Sequence, residues 1–152
     1  MNLNLKQALL KEAQLLSISM SDCDLFIIGQ ANTITYEQLA LTGIHGITKT
    51  SGRLAVKKLE KEGYLASKTM QGNTKTKYYF LTAKGKKRLE RVCGSNFLGK
   101  MCFDLERRPP ASQQQLPHRI RTSDLYFTYL SNPFLDHLPL WRLECPYKSP
   151  EG

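Results

Sequence analysis

Between Thr35 and Glu90 the chain carries helix-start, turn and helix-stop signals in an order that leaves little freedom in how it can fold. Thr35-Tyr36-Glu37-Gln38 has capping-box spacing, a hydroxyl residue followed three positions later by an amide, and predicts a short helix to about Leu41. Thr42-Gly43-Ile44-His45-Gly46-Ile47 supplies a turn with two glycines, in which Ile44 and Ile47 are expected to pack on the core. A second helix is expected from Thr48, with Ala55, Val56 and Leu59 along one side and Gly63 as its C-terminal cap. Tyr64 to Met70 and Lys75 to Leu81 read as strands joined by the turn Gln71-Gly72-Asn73-Thr74. Thr82 then caps a third helix, whose Lys84, Lys87, Arg88 and Arg91 form a basic stripe opposite Leu89 and Val92; a solvated face is the preferred reading of that stripe.

Helix, tight turn, helix, polar hairpin and helix is the order of a winged helix-turn-helix, in which one helix enters the DNA major groove and the hairpin reaches the flanking backbone. The expected fold class is therefore α+β, mostly helical with a β-hairpin wing, plus a small C-terminal helix-strand segment. Thr48, Lys49, Thr50, Ser51, Arg53 and Lys57 fall on the side of the second helix left free by its apolar stripe. Small hydroxyl residues at the tip of a helix let its backbone approach base edges, and a guanidinium such as that of Arg53 can pair bidentately with guanine. Lys68, Asn73, Lys75 and Lys77 lie toward the hairpin tip, where they would clamp phosphates or reach the minor groove.

Charge is distributed to match. Residues 45 to 92 hold thirteen basic and three acidic groups, whereas residues 1 to 44 hold two and four, and residues 93 to 152 hold seven and six. Nearly all of the net +9 therefore sits on the helix-turn-helix and hairpin. A cationic field so localised attracts a polyanion, which makes double-stranded DNA the expected partner. Solubility alone does not require such clustering.

A chain of 152 residues buries one good core, with an appendage at most. Residues 1–104 are read as the DNA-binding domain, 105–118 as a linker because of Arg107-Arg108-Pro109-Pro110 and the glutamines that follow, and 119–152 as a C-terminal helix and strand. Upstream, Asn4 would cap a helix to about Ser17, bearing Leu5, Leu9, Ala13 and Leu16, as core or dimer surface. Ser21-Asp22-Cys23-Asp24 reads as an acidic helix start, with Leu25 to Ile28 buried after it and Gly29 to Asn32 ending the run. Downstream, Ile120 to Leu130 reads as a helix with Leu125, Phe127 and Tyr129 buried, stopped by Asn132-Pro133; Leu138 to Cys145 has strand-like content. Cys23, Cys93, Cys102 and Cys145 form no C-x-x-C pair, and no apolar run reaches membrane-spanning length. Reduced thiols in a cytoplasmic protein, away from membranes, are the expectation. The spacings of Cys93, Cys102, His118, His137 and Cys145 fit no familiar zinc motif.

Leu59-Glu60-Lys61-Glu62-Gly63-Tyr64-Leu65, followed by Lys77-Tyr78-Tyr79-Phe80-Leu81-Thr82-Ala83-Lys84-Gly85, resembles the L-E-x-x-G-(aromatic or aliphatic)-hydrophobic and Y-x-L-T-x-x-G signatures of bacterial winged-helix proteins, among them the multiple-antibiotic-resistance and phenolic-acid-type repressors. That likeness covers about a third of the chain and speaks to fold rather than to any one function. Leu116-Pro117-His118-Arg119, Thr122-Ser123-Asp124-Leu125-Tyr126 and Leu140-Trp141-Arg142-Leu143-Glu144 are similar to motifs of the plasmid replication-relaxation family and of one class of mobilisation relaxases. This resemblance implies plasmid or conjugative-element DNA as the target. In such relaxases a following nuclease-like domain holds a divalent metal, and Glu144 would occupy its first acidic position. Up to Gly152 no further Asp and Glu-x-Lys arrangement follows, so this chain is expected either to be a shortened piece or never to cut.

No phosphate-binding glycine loop, H-E-x-x-H or G-x-S-x-G motif occurs, and His45, His118 and His137 are isolated in sequence. His45 could contact a phosphate from the turn, though an exposed turn residue is the plainer reading. Strand alternation places at least one of Tyr78 and Tyr79 in the core, which argues against a tyrosine nucleophile. The leading expectation is thus sequence-specific binding of duplex DNA in mobilisation, replication control or local transcription, without a cofactor; a divalent metal would enter only with a completed nuclease domain. A dimeric, ligand-responsive repressor is the first alternative, with a second copy of the chain as partner. A metal-dependent nickase and a protein-binding winged helix are the others.

Overall fold

The computed structural model describes residues 11, 19–42, 44, 45, 48–93, 111–132 and 134. Within them the protein is α+β, with five helices and one two-stranded antiparallel hairpin: α1 Met20–Ala31, α2 Tyr36–Leu41, α3 Lys49–Lys61, β1 Leu65–Met70, β2 Asn73–Leu81, α4 Ala83–Cys93 and α5 Leu116–Leu130. The helix expected over residues 4 to 17 falls outside the described residues except for Lys11, which is helical, as does the strand expected over 138 to 145.

Helix α1 is the central rod. Its N-cap is Ser19, whose hydroxyl accepts from the Asp22 amide while the Asp22 carboxylate accepts from the Ser19 amide, so the start lies two residues before the expected Ser21. Every residue from Asp22 to Ala31 is buried. That explains a run that is apolar nearly all round, because α4, α5 and β2 all pack against it. Asn32 leaves the helix at φ 71°, and Ile34 then exchanges backbone hydrogen bonds with Tyr79 (3.0 and 2.7 Å), adding a one-residue bridge beside β2.

The capping box at Thr35 and Gln38 is present, and α2 ends at Leu41 as its sequence predicts. Helix α3 buries Gly52, Val56 and Leu59 and closes with Gly63 at φ 86°. The Tyr64 amide donates to the Leu59 carbonyl and the Gly63 amide to that of Glu60, each at 3.0 Å. This is a Schellman closure, which needs the left-handed conformation that glycine adopts without strain. Leu65 pairs with Leu81 and Thr69 with Lys77, and an irregularity between Thr69 and Met70 shifts the register near the tip. Both tyrosines of β2 are buried, on opposite faces: Tyr79 enters the main core and Tyr78 packs with Ala111 and Leu116.

Two parts of the C-terminal reading change. The expected linker is docked from Ala111 onward: Gln113 donates to the Thr69 carbonyl (2.8 Å) and accepts from the Gln71 amide (2.8 Å), imitating a neighbouring strand at the hairpin tip. Helix α5 begins at Leu116 and buries Ser123, Tyr126, Phe127 and Leu130, leaving Leu125 and Tyr129 exposed. Aromatic and aliphatic residues at five of the six positions from 125 to 130 left its phase ambiguous. Packing against α1 and α2 selected the face that also carries Leu116 and Ser123. The Ser123 hydroxyl lies 2.8 Å from the Thr33 carbonyl and 3.2 Å from that of Ala31, so a polar residue sits in the core with its donor satisfied at the α1 exit. Ser123→Ala is expected to cost about 1 to 2 kcal/mol in urea unfolding, since these carbonyls lose a buried donor.

Candidate nucleic-acid interface

The exposed side of α3 consists of Lys49, Thr50, Arg53, Leu54, Lys57, Lys58 and Lys61. From Thr50 these recur at helical spacing, so they form one continuous face along the rod. Opposite them, α3 lies so close to α2 that a Cβ on Gly52 would sit 2.7 Å from the Tyr36 carbonyl oxygen and 2.9 Å from the Ala40 Cβ. This close helix crossing turns the cationic face outward.

Six of the ten residues expected to contact DNA lie on α3 or at its cap. Thr48 is the N-cap and exposed, yet its side chain makes no capping bond; its carbonyl accepts from the Ser51 amide and hydroxyl (3.2 and 2.7 Å). The helix N-terminus is thus not closed by its own N-cap side chain, and the positive end of a helix is a favourable position for an anion. Lys49 is 3.5 Å from Glu37, an exposed and therefore weak pair. Thr50, Arg53 and Lys57 are exposed. Burial, reinforced by the negative charge of Glu60, holds the Tyr79 hydroxyl of β2 above its ordinary pKa, and α3 packs against β1.

On the hairpin the four expected contacts divide. Lys75 and Lys77 are exposed, and Asn73 opens β2, with its side chain outside what is described. Lys68, expected at the outer tip, instead turns inward: its ammonium donates to the Ala111 carbonyl and lies 5.4 Å from the centre of the Phe80 ring, and burial lowers its pKa. Lys68 shares the face of the sheet with Tyr78, which the docked residues 111 to 120 cover. Lys61 and Lys58 are exposed on the same face, Lys61 one turn beyond Lys57 and Lys58 one turn beyond Leu54, and neither is among the residues expected from the sequence.

The expected basic stripe on α4 is partly occupied within the protein. Arg88 pairs with Asp22 (2.9 and 3.2 Å), and Lys84 donates to the Glu62 carbonyl (2.7 Å) at the end of α3. Burial alone would raise the Asp22 pKa, but the Arg88 guanidinium and the Ser19 donors outweigh it and hold the carboxyl below its ordinary 3.8. His45 is likewise engaged: its Nε2 is 2.7 Å from the Asp24 carboxylate, tying the turn to α1. Asp24 is pushed upward by burial, against the pull of His45 and Lys58.

Asp24, His45, Ser51, Leu54 and Lys58 line part of an open cleft of roughly 450 Å³ beside α3. Ser51, on the wall of the cleft, directs its hydroxyl to the Thr48 carbonyl rather than to the Asp24–His45 pair. Among the described residues no three His, Cys, Asp or Glu side chains gather to hold a metal, and no helix is long and apolar enough to cross a membrane. Glu144 lies outside the described residues. In comparisons with known proteins, the chain matches no family model, no curated protein and no solved structure.

Proposed function

We propose that the chain is a winged helix-turn-helix protein that binds duplex DNA, with α3 in the major groove and the β1–β2 tip on the adjoining backbone. The observation that carries this reading is the unbroken exposed face of α3, in which Arg53, Lys57, Lys58 and Lys61 lie on one side of a helix that packs against β1. Cations so grouped replace counterions on phosphates, while the short Thr48, Thr50 and Ser51 at the tip admit the helix to the groove. Sequence discrimination would come chiefly from Arg53, and register on the duplex from the lysines. The sequence resemblance to replication-relaxation proteins and mobilisation relaxases favours a plasmid or other mobile element as the source of the DNA, with a role in mobilisation, replication control or local transcription. Catalysis forms no part of the proposal.

The test is the salt dependence of duplex binding by fluorescence anisotropy. Roughly 4 to 7 phosphate contacts correspond to a slope of log K against log salt of about −4 to −6. A slope near zero, or no binding in 50 mM salt, would remove the reading. One observation favours a two-fold repressor within it: Leu125 and Tyr129 are 67% and 47% exposed, one turn apart on α5. A stable dimer in light scattering, bound to a palindrome, would decide for that form.

A further inference from the structure

Leu54 is the one apolar side chain in the outward row of α3, and it is 63% exposed between Thr50 and Lys58 at one turn to either side and next to Arg53. It also borders the open cleft, where Met20 and Ala55 lie beside Asp24, His45 and Lys58, so Leu54 is an apolar side chain in largely charged and polar surroundings. We propose that Leu54 reads the 5-methyl group of a pyrimidine, in thymine or 5-methylcytosine, in the major groove; this rests on the DNA-binding reading above. Seated against an amino group or a carbonyl of a base, Leu54 would strip water from a polar atom and return no hydrogen bond. In the major groove the pyrimidine 5-methyl is the apolar feature, so it is the partner that an isobutyl group on this face can desolvate without loss. Lysines and Arg53 at the neighbouring positions cannot supply that discrimination, because their donors pair with phosphates and with guanine. Taking one apolar carbon out of water is worth ~0.8 kcal/mol, which corresponds to about a fourfold change in affinity per methyl.

The experiment uses the full chain and a duplex selected from random-sequence DNA. Each thymine of the bound site is replaced singly by deoxyuridine, and each cytosine singly by 5-methylcytosine, and both series are titrated with the wild type and with Leu54→Ala and Leu54→Gln. One thymine-to-deoxyuridine change is expected to weaken wild-type binding about fourfold while leaving both variants indifferent. If the site instead presents cytosine there, its methylation strengthens wild-type binding by the same factor, which identifies 5-methylcytosine as the source of the methyl. Equal wild-type affinity across both series overturns the inference, as does a methyl dependence that survives in both variants and so belongs to a threonine methyl. Failure to bind any duplex rejects the DNA-binding reading itself, an outcome distinct from binding that ignores the methyl. Leu54 is exposed, so circular dichroism melting of both variants is expected to follow the wild type.

Discussion

Gly85→Ala is expected to destabilise the protein by about 3 kcal/mol or more, at or above the upper range for forcing extra atoms into a packed site. The new Cβ would lie 2.3 Å from the Tyr64 carbonyl oxygen and 3.3 Å from a Leu81 methyl. Neither side can yield easily. The Tyr64 carbonyl accepts from the Thr82 amide (3.1 Å), the Thr82 hydroxyl donates to the Gly63 carbonyl (2.7 Å), and Lys84 bonds to that of Glu62. The start of α4 is thereby bolted to the exit of α3, and a methyl there must part the two. Gly52→Ala makes a comparable intrusion on backbone, at 2.7 Å from the Tyr36 oxygen, but between α2 and α3. Both variants are expected to lower the urea midpoint. Only Gly52→Ala is expected also to weaken DNA binding measured well below that midpoint, because it tilts the cationic face while Gly85 lies behind it. Wild-type stability in Gly85→Ala would mean that the α4 start and Tyr64 are not packed as described.

The two glycines show what the sequence could and could not convey. Signals that act within a few residues were legible: Thr35 with Gln38, Gly63 after Lys61 and Thr82 before α4 each fix a local hydrogen bond that needs no tertiary partner. Gly85 appeared only as part of a signature, and its cause is a contact with Tyr64 across the α3–β1 corner. Lys68 turns from the expected outer tip for a related reason. Alternation along β1 assigns it to a face, but whether that face meets water depended on Ala111 to Ile120, a stretch whose Pro-Pro and glutamine-rich approach looked like a linker. The α5 phase failed through redundancy, since Leu125, Tyr126, Phe127, Tyr129 and Leu130 offer two apolar faces and Ser123, a polar residue, marked the buried one. Arg53 and Lys57 were legible because an exposed cation opposite Val56 and Leu59 follows from helical spacing alone.

Those two residues give the second large effect. Arg53→Ala with Lys57→Ala is expected to lower affinity for the selected duplex about tenfold to two-hundredfold at low salt while leaving the melting temperature nearly unchanged, as exposed positions generally do. The two losses differ in kind. A bidentate arginine–guanine pair contributes about 1 to 3 kcal/mol of discrimination, so Arg53→Ala alone should relax preference at one base pair. Lys57→Ala alone should weaken all duplexes alike and make the salt slope shallower by about 1. Lys68→Ala is the informative contrast: its ammonium is held by the Ala111 carbonyl, so the slope should stay at the wild-type value although the hairpin tip loses an anchor. Lys77, exposed on the returning strand, should behave like Lys57. If the Arg53 and Lys57 double variant binds as the wild type does, with slope and base preference intact, α3 is not the helix that meets DNA, whatever the charge of its outer face.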